Sequence, residues 1–260
     1  SWKNKVSFTI NAISGINGLE PTLKIIPYTE RILIANKETI VCAWEIIIKE
    51  LKKYKTEFIP IDSEHFSIWK LIKHENNENI DKIFLTASGG PLLNKTKKQL
   101  VNIKPKIALS HPNWKMGKKI TIDSSTLMNK VFEVIEARNI FNIDYKKILI
   151  LTHQKSYVHA IVKFNNGLSK ILVHEPDMKI PIYNSLNLVN KKIRTLPLRF
   201  DTLNKLNFNE VDNKKFPLVN IIYKLPKKIS LFETILITVN DYFVNKFLEK
   251  KISYKKLIFI

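Results

Sequence analysis

The sequence predicts an α/β protein with a parallel sheet first, a mixed sheet in the middle and a short helical domain at the end. Three observations predict it. Up to about residue 61, short apolar runs alternate with longer helix-period runs, the pattern of parallel strands covered by helices. Between residues 148 and 173, successive segments alternate in polarity as strands of a largely antiparallel or mixed sheet do. After about residue 213 the apolar runs read as helices.

Taken in order, strands are expected over 6–13, 32–35 and 58–61, with helices over 19–26 and 39–53 between them. The polar patch from His74 to Asn79 reads as a surface loop. A strand over 83–86 and a helix over 125–140 flank a loop that holds His111, Trp114 and Gly117. Strands follow over 148–152, 157–164 and 168–173. Residues 187–213, with Pro197, read as a linker, and helices are expected over 216–223, 231–250 and 254–260. The division that follows is 1–61, 62–186, a linker over 187–213, and 214–260. No internal repeat or low-complexity linker is visible.

Composition narrows the class. At 260 residues and 45% hydrophobic content, the chain can bury a sizeable core in one large domain or two small ones. The single cysteine, Cys42, lies in an apolar helical run, reads as a packed residue and fits a reducing compartment. No apolar run approaches the roughly 18 residues that span a bilayer, and no signal peptide is visible, so no membrane is expected as a partner. The net charge of +20 invites a nucleic-acid reading. The lysines are scattered, however, and the runs Lys95–Lys98 and Lys191–Lys192 are short and far apart. A polyanion-binding face would concentrate them among aromatics, so no nucleic-acid partner is expected.

Four segments carry chemistry. In the stretch His111–Glu133, Asn129 and Glu133 stand one helical turn apart, and Lys130 lies within an arc of about 100° of both. Asn and Lys donate to phosphates, and Glu can hold a hard cation, so one pocket wall could take an anion at the helix N-terminus and a cation a turn deeper. A solvated polar face is the competing reading. In Ile59–His65, an extended backbone would point Asp62 and Glu64 the same way. Two such carboxylates repel unless a cation or proton sits between them, and Glu133 would complete three oxygen ligands for Mg²⁺ or Mn²⁺. The competing reading there is a helix cap, with Asp62 or Ser63 at the N-cap. Leu33–Thr39 and Leu85–Pro91 are strand-to-helix and strand-to-turn connections, and Ser88, Gly89 and Gly90 could offer N–H groups to a phosphate. His153, His159 and His174 read as hydrogen-bonded structural residues, and His74 as solvated.

Six motifs occur in order: Ala35-Asn-Lys-Glu-Thr39, Pro60-Ile-Asp-Ser-Glu-His65, Thr86-Ala-Ser-Gly-Gly-Pro91, His111-Pro-Asn-Trp-Lys-Met-Gly-Lys-Lys-Ile120, Asp123-Ser-Ser-Thr-Leu-Met-Asn-Lys130 and Glu175-Pro-Asp-Met-Lys-Ile-Pro-Ile182. Together they resemble the 1-deoxy-D-xylulose 5-phosphate reductoisomerases of non-mevalonate isoprenoid biosynthesis, over essentially the whole chain. The resemblance implies a Rossmann-like NADPH domain present in part over 1–61, a catalytic α+β domain over 62–186, and a shortened C-terminal helical domain. It implies Asp62, Glu64 and Glu133 as ligands of Mg²⁺ or Mn²⁺. It places Ser88, His111, Ser124, Asn129 and Lys130 around the substrate phosphate, with Lys37 and Ser63 at the hydroxyl and carbonyl end. Trp114 falls in a loop that closes over the substrate, and Asn36, Glu38, Gly117 and Met178 fall near the nicotinamide. The implied reaction is an NADPH-dependent rearrangement and reduction of the phosphorylated sugar. The implied assembly is a homodimer through the mixed sheet, and the implied location is the bacterial cytoplasm or a plastid-type organelle.

The departures are specific. The chain has six glycines and no G-x-G-x-x-G, and it starts at Ser1. A fragment of a longer protein is expected, the alternative being a degenerate relative that binds the sugar phosphate without turnover. Val131 and Phe132 depart from the family pattern, as does His153-Gln-Lys-Ser156.

Overall fold

The computed structural model describes residues 4–111, 114, 116–186, 192–228 and 230–259. The chain opens with β1 (Val6–Asn11), α1 (Leu19–Ile25), β2 (Thr29–Ile34), α2 (Lys37–Tyr54), β3 (Glu57–Pro60) and α3 (Ser63–Leu71). It continues through β4 (Ile80–Ala87), the short helices α4 (Lys97–Leu100) and α5 (Pro105–Ala108), and then α6 (Lys118–Thr126) and α7 (Met128–Phe141). Strands β5 (Ile148–Thr152), β6 (Val158–Phe164) and β7 (Ser169–Val173) precede α8 (Lys179–Ser185), α9 (Phe200–Leu203) and β8 (Asn209–Glu210). The last helices are α10 (Phe232–Leu248) and α11 (Tyr254–Ile258).

Strands β1, β2 and β3 form a parallel sheet in that order, with Ile10 beside Leu33 and Leu33 beside Ile59. Parallel strands need covering on their faces. Helix α2 supplies part of that cover, burying Ile40, Trp44, Ile47 and Leu51 against Ile32 and Ile34. The Asn36 side chain starts the helix by accepting from the Thr39 N–H at 2.6 Å, and Lys55 ends it in the left-handed region.

The second sheet has the order β7-β6-β4-β5-β8 and is mixed: β4 and β5 are parallel, and the remaining pairs antiparallel. One face packs on α3 and α7 through Ile83, Leu85, Val162, Ile68 and Val134, all fully buried. Each such side chain contributes roughly 1.5–3 kcal/mol through burial. The α/β architecture is as the sequence predicts.

Two elements differ from expectation. The helix expected over 125–140 is two helices meeting at Leu127, whose φ of 61° lies in the left-handed region. Residues 118–124, ahead of the expected helix start, already belong to α6. The hydroxyls of Ser125 and Thr126 bond back to the carbonyls of Ile122 and Asp123, and Thr126 Oγ1 also accepts from the Met128 N–H. Hydroxyls that compete for backbone groups in this way end a helix. Ser124 therefore sits in the last turn of α6 rather than at a helix start. Second, the stretch read as a linker holds α9 and the edge strand β8, which pairs with β5 through Leu151 and Thr152. Residues 187–191 of that stretch lie outside the described residues. The segment expected to be helical over 216–223 is helical, as a 3₁₀ helix over Pro217–Lys224. Residue 260, the expected end of the last helix, also lies outside the described residues. Among the described residues no helix is long and apolar enough to cross a membrane.

Candidate active site

Ligands of α/β sheets gather beyond the carboxyl ends of parallel strands. Four such ends face one cavity of about 680 Å³ here: Ala12–Gly15 after β1, Ala35–Glu38 after β2, Asp62–Glu64 after β3 and Ser88 after β4. The α6–α7 elbow closes the other side with Ser124, Asn129, Lys130 and Glu133. All fifteen residues to which the resemblance gives a role line this cavity: His111, Trp114, Gly117 and Met178 join those just named, while Gly89 and Gly90 are not among its lining.

The acidic centre is compact. One carboxylate oxygen from each of Asp62, Glu64 and Glu133 lies within 4.8 Å of the others. The local backbone at Asp62 follows the cap reading: Asp62 is the N-cap of α3 and accepts from the Glu64 N–H at 3.2 Å. The helical turn that replaces the extended backbone still directs both carboxylates to Glu133, so cap and cluster are one structure.

Two lysines thread the acids. Lys37 Nζ lies 2.6 Å from Asp62 Oδ2, 3.1 Å from Glu136 Oε2 and 3.6 Å from Glu133 Oε1. Lys130 Nζ donates to Glu133 Oε2 at 2.6 Å and to Glu64 Oε1. Asn129 donates to Glu133 Oε1, and Ser63 Oγ donates to Glu64 Oε2 at 2.6 Å. Burial alone would lower Lys37, but Asp62, Glu136 and Glu133 hold it well above the usual range. The carboxylates Glu133 and Glu64 likewise outweigh burial at Lys130 and raise it. Burial also works against charge on Asp62, yet Lys37 and His65 keep it well below its ordinary value. Glu133, buried and close to Glu64, is pushed up to about 8.

His65 supports the centre from below. Its Nδ1 is 3.2 Å from Asp62 Oδ1 and its Nε2 3.0 Å from the Glu133 carbonyl. Burial lowers its pKa, but Glu136 and Asp62 prevail and raise it to about 9. At the opposite wall, Ser88 Oγ meets His111 Nε2 at 3.1 Å, and His111 Nδ1 accepts from the Trp114 N–H at 3.0 Å. Burial, then the neighbouring Lys130 charge, lowers His111. The Trp114 ring stands edge-on to His159, 6.3 Å between centroids, and His159 stacks on His174 at 4.1 Å. His153 is a structural residue: Nδ1 pairs with the Asn207 carbonyl at 2.9 Å, and Nε2 accepts from the Tyr157 N–H.

Sequence reading missed two groups. Glu136, buried at 1% exposure, shares Lys37 with Asp62. Its spacing from Asn129 and Glu133 along α7 would have placed it on the same face. The second group joins Lys119 to Glu38, Asp123 and Asp241. Its members come from three distant segments, and local spacing connects only Lys119 with Asp123, one helical turn apart on α6.

Fold and site define an α/β protein with a carboxylate–lysine centre at the carboxyl ends of parallel strands drawn from two sheets. Family models match almost end to end: 1-deoxy-D-xylulose 5-phosphate reductoisomerase over residues 2–44, its C-terminal domain over 58–141, and the DXP reductoisomerase C-terminal domain over 173–260. The 1-deoxy-D-xylulose 5-phosphate reductoisomerase of Pelagibacter ubique is 54% identical over 98% of this chain and 66% of its own length. That of Clostridium botulinum strain Loch Maree is 38% identical over 99% of the chain and 67% of its length. A structure of the Zymomonas mobilis reductoisomerase in complex with NADPH superposes with TM-score 0.88 at 31% identity, covering 96% of this chain and 65% of that one. A crystal structure of a DOX-P reductoisomerase in complex with NADPH, fosmidomycin and magnesium also gives 0.88, at 35% identity over 98% and 65%. The chain belongs to the 1-deoxy-D-xylulose 5-phosphate reductoisomerase family, and it spans about two thirds of the length of the relatives it matches.

Proposed function

We propose that the intact protein converts 1-deoxy-D-xylulose 5-phosphate to 2-C-methyl-D-erythritol 4-phosphate by a rearrangement followed by NADPH-dependent reduction. The carrying observation is the convergence of Asp62, Glu64 and Glu133 in one cavity with Lys130, Asn129, Ser88, His111 and Ser124. Relatives bound to NADPH and magnesium support the same reading.

The residues fit a hard divalent cation. Three carboxylates crowd together, and Glu133 is pushed up to about 8 by burial and by Glu64, so the centre favours added positive charge. A dication held by Asp62, Glu64 and Glu133 would supply Lewis-acid polarisation of a carbonyl and an adjacent hydroxyl. Lys37 holds Asp62 and Glu136 in place and keeps its proton, so it orients a substrate oxygen as a donor rather than acting as a base. Ser88, Ser124, Asn129 and Lys130 supply hydroxyl, amide and ammonium donors for a phosphate, whose binding orients the reacting carbons. Trp114, anchored by its N–H on His111, covers the cavity against water.

The other end of the cavity suits the nicotinamide. A Cβ on Gly15 or Gly117 would meet no atom within 4 Å, so the backbone of both stays open to a flat ring, with Asn36, Glu38 and Met178 lining the same wall. NADPH bound there supplies the hydride. Residues 1–61 would then be part of the cofactor domain, 62–186 the catalytic domain and 214–260 part of a helical domain. A cytoplasmic location goes with this reading.

The test is NADPH oxidation by the intact protein with the sugar phosphate, with and without Mn²⁺. Metal-dependent oxidation supports the proposal. Sugar-phosphate binding without oxidation would replace it with the reading of a relative that binds without turnover.

A further inference from the structure

Lys119 lies outside the acidic centre but on the wall of the same cavity. It occupies the first turn of α6, two residues after Gly117, where the loop bearing Trp114 joins a helix. Its Nζ donates to Glu38 Oε1 at 3.0 Å, and lies 3.4 Å from Asp123 Oδ2 and 2.9 Å from Asp241 Oδ1. Those acids belong to the first turn of α2, the second turn of α6 and the middle of α10. The second oxygen of Asp123 is also taken, by Asn240 Nδ2 at 2.8 Å. The Lys119 ammonium additionally stands 5.5 Å from the centroid of the Phe132 ring.

One ammonium thus ties three elements that are remote in sequence. All three acids line the cavity: Asp123 and Asp241 hold the lysine from α6 and α10, and Glu38 lines the cavity at the start of α2, two residues from Asn36. A free glutamate in a first helical turn samples several rotamers, whereas one held by a lysine fixed from two other helices does not. We propose that Lys119 is a positioning residue: it fixes the carboxylate of Glu38 for contact with the nicotinamide cofactor and pins the start of α6 to α2 and α10. The inference rests on the proposed nicotinamide wall at Asn36, Glu38, Gly117 and Met178.

The experiment is direct NADPH binding to the intact protein by titration calorimetry, for Lys119→Met, Lys119→Arg, Glu38→Gln and the double variant Lys119→Met with Glu38→Gln. Mn²⁺ binding and thermal melting are measured beside it. Loss of a charged hydrogen bond predicts about tenfold weaker NADPH binding in Lys119→Met, with most of it restored in Lys119→Arg. If Lys119 acts through Glu38, the double variant binds no worse than the weaker single variant, and Mn²⁺ affinity is unchanged in all. Additive losses, or unaltered NADPH affinity in Lys119→Met while Glu38→Gln weakens it, overturn the inference and leave the nicotinamide wall standing. Unaltered affinity in Glu38→Gln overturns the wall and the inference with it. Should Lys119→Met fail to fold because three acids lose their counter-ion, adding Asp241→Asn removes one of those charges and carries the same measurement.

Discussion

Glu133 shows how one side chain can be read from sequence and still surprise. Its spacing from Asn129 predicted a shared face, and the two side chains are hydrogen-bonded. What spacing could not supply is its burial at 1% exposure, which, with Glu64 close by, raises its pKa. Asp62 and Glu64 teach the complementary point. Cap and ligand looked like rival readings because the sequence shows only local backbone, yet a capping aspartate at a strand end is also carried into the cavity. Glu136 was passed over because its partner, Lys37, lies 99 residues away. The Glu133→Gln substitution keeps the shape and removes the charge. Turnover should fall about a hundredfold or more, since each tenfold loss corresponds to about 1.4 kcal/mol and a lost dication removes several. Mn²⁺ affinity should fall alongside, with little change in the melting temperature. Full Mn²⁺ affinity in the variant would take Glu133 out of the metal site.

Helices and strands were legible where their periodicity was long and their burial one-sided. Helix α2 and strands β4 to β7 fall close to their expected positions for that reason. The α6–α7 elbow was not legible, because hydroxyl-to-carbonyl bonds at Ser125 and Thr126 end a helix that the apolar period would continue. Nor was β8, whose two residues are too few for any alternation to register. Helix ends also carry avoidable cost. Lys55 closes α2 at φ 54° and ψ 40°, a conformation that disfavours side chains bearing a Cβ. Glycine relieves about 1–2 kcal/mol of strain there and gives back roughly 0.5–1 through the freedom of the unfolded chain. Lys55→Gly, on the exposed surface, should therefore stabilise the protein by about 0.5–1 kcal/mol, seen as a higher denaturant midpoint at unchanged slope. A lower midpoint would mean that the lysine side chain contributes more than the strain it carries.

The assembled molecule sets two further expectations, one of pH and one of partnership. His159 is pushed well below its ordinary pKa of 6.5 by burial, with the neighbouring His174 and the Lys130 ammonium acting in the same direction. His174, stacked on it, is lowered mainly by burial. Both are neutral when folded and take up protons on unfolding once the pH drops below about 6.5. The unfolded chain then holds more protons, so stability is full above that pH and falls as the pH moves toward the folded values. The limit is about 1.4 kcal/mol per pH unit for each histidine. Glu133 and His65, whose pKa values are raised, act in the opposite sense over the same range, so the histidine contribution is read by difference: the change in urea midpoint from pH 7 to pH 5 should be less unfavourable in His159→Phe than in the wild type. An identical change in the variant would remove His159 as a source.

The outer face of the mixed sheet bears on partnership. Ile171, Ile161, Phe84 and Leu149 stand side by side across β7, β6, β4 and β5 on the face away from α3 and α7. Ile171 is 48% exposed and Leu149 39%. A row of apolar side chains across four neighbouring strands is a surface that gains by being covered. A second copy of the chain would meet it with the same row, as a two-fold interface requires. On this proposal the intact protein sediments as a dimer. Replacing Ile161 by aspartate, which puts a charge at the middle of the row, should shift it to monomer without lowering its melting temperature at high dilution, where the wild type is also dissociated. A variant that remains dimeric would place the interface elsewhere on the molecule.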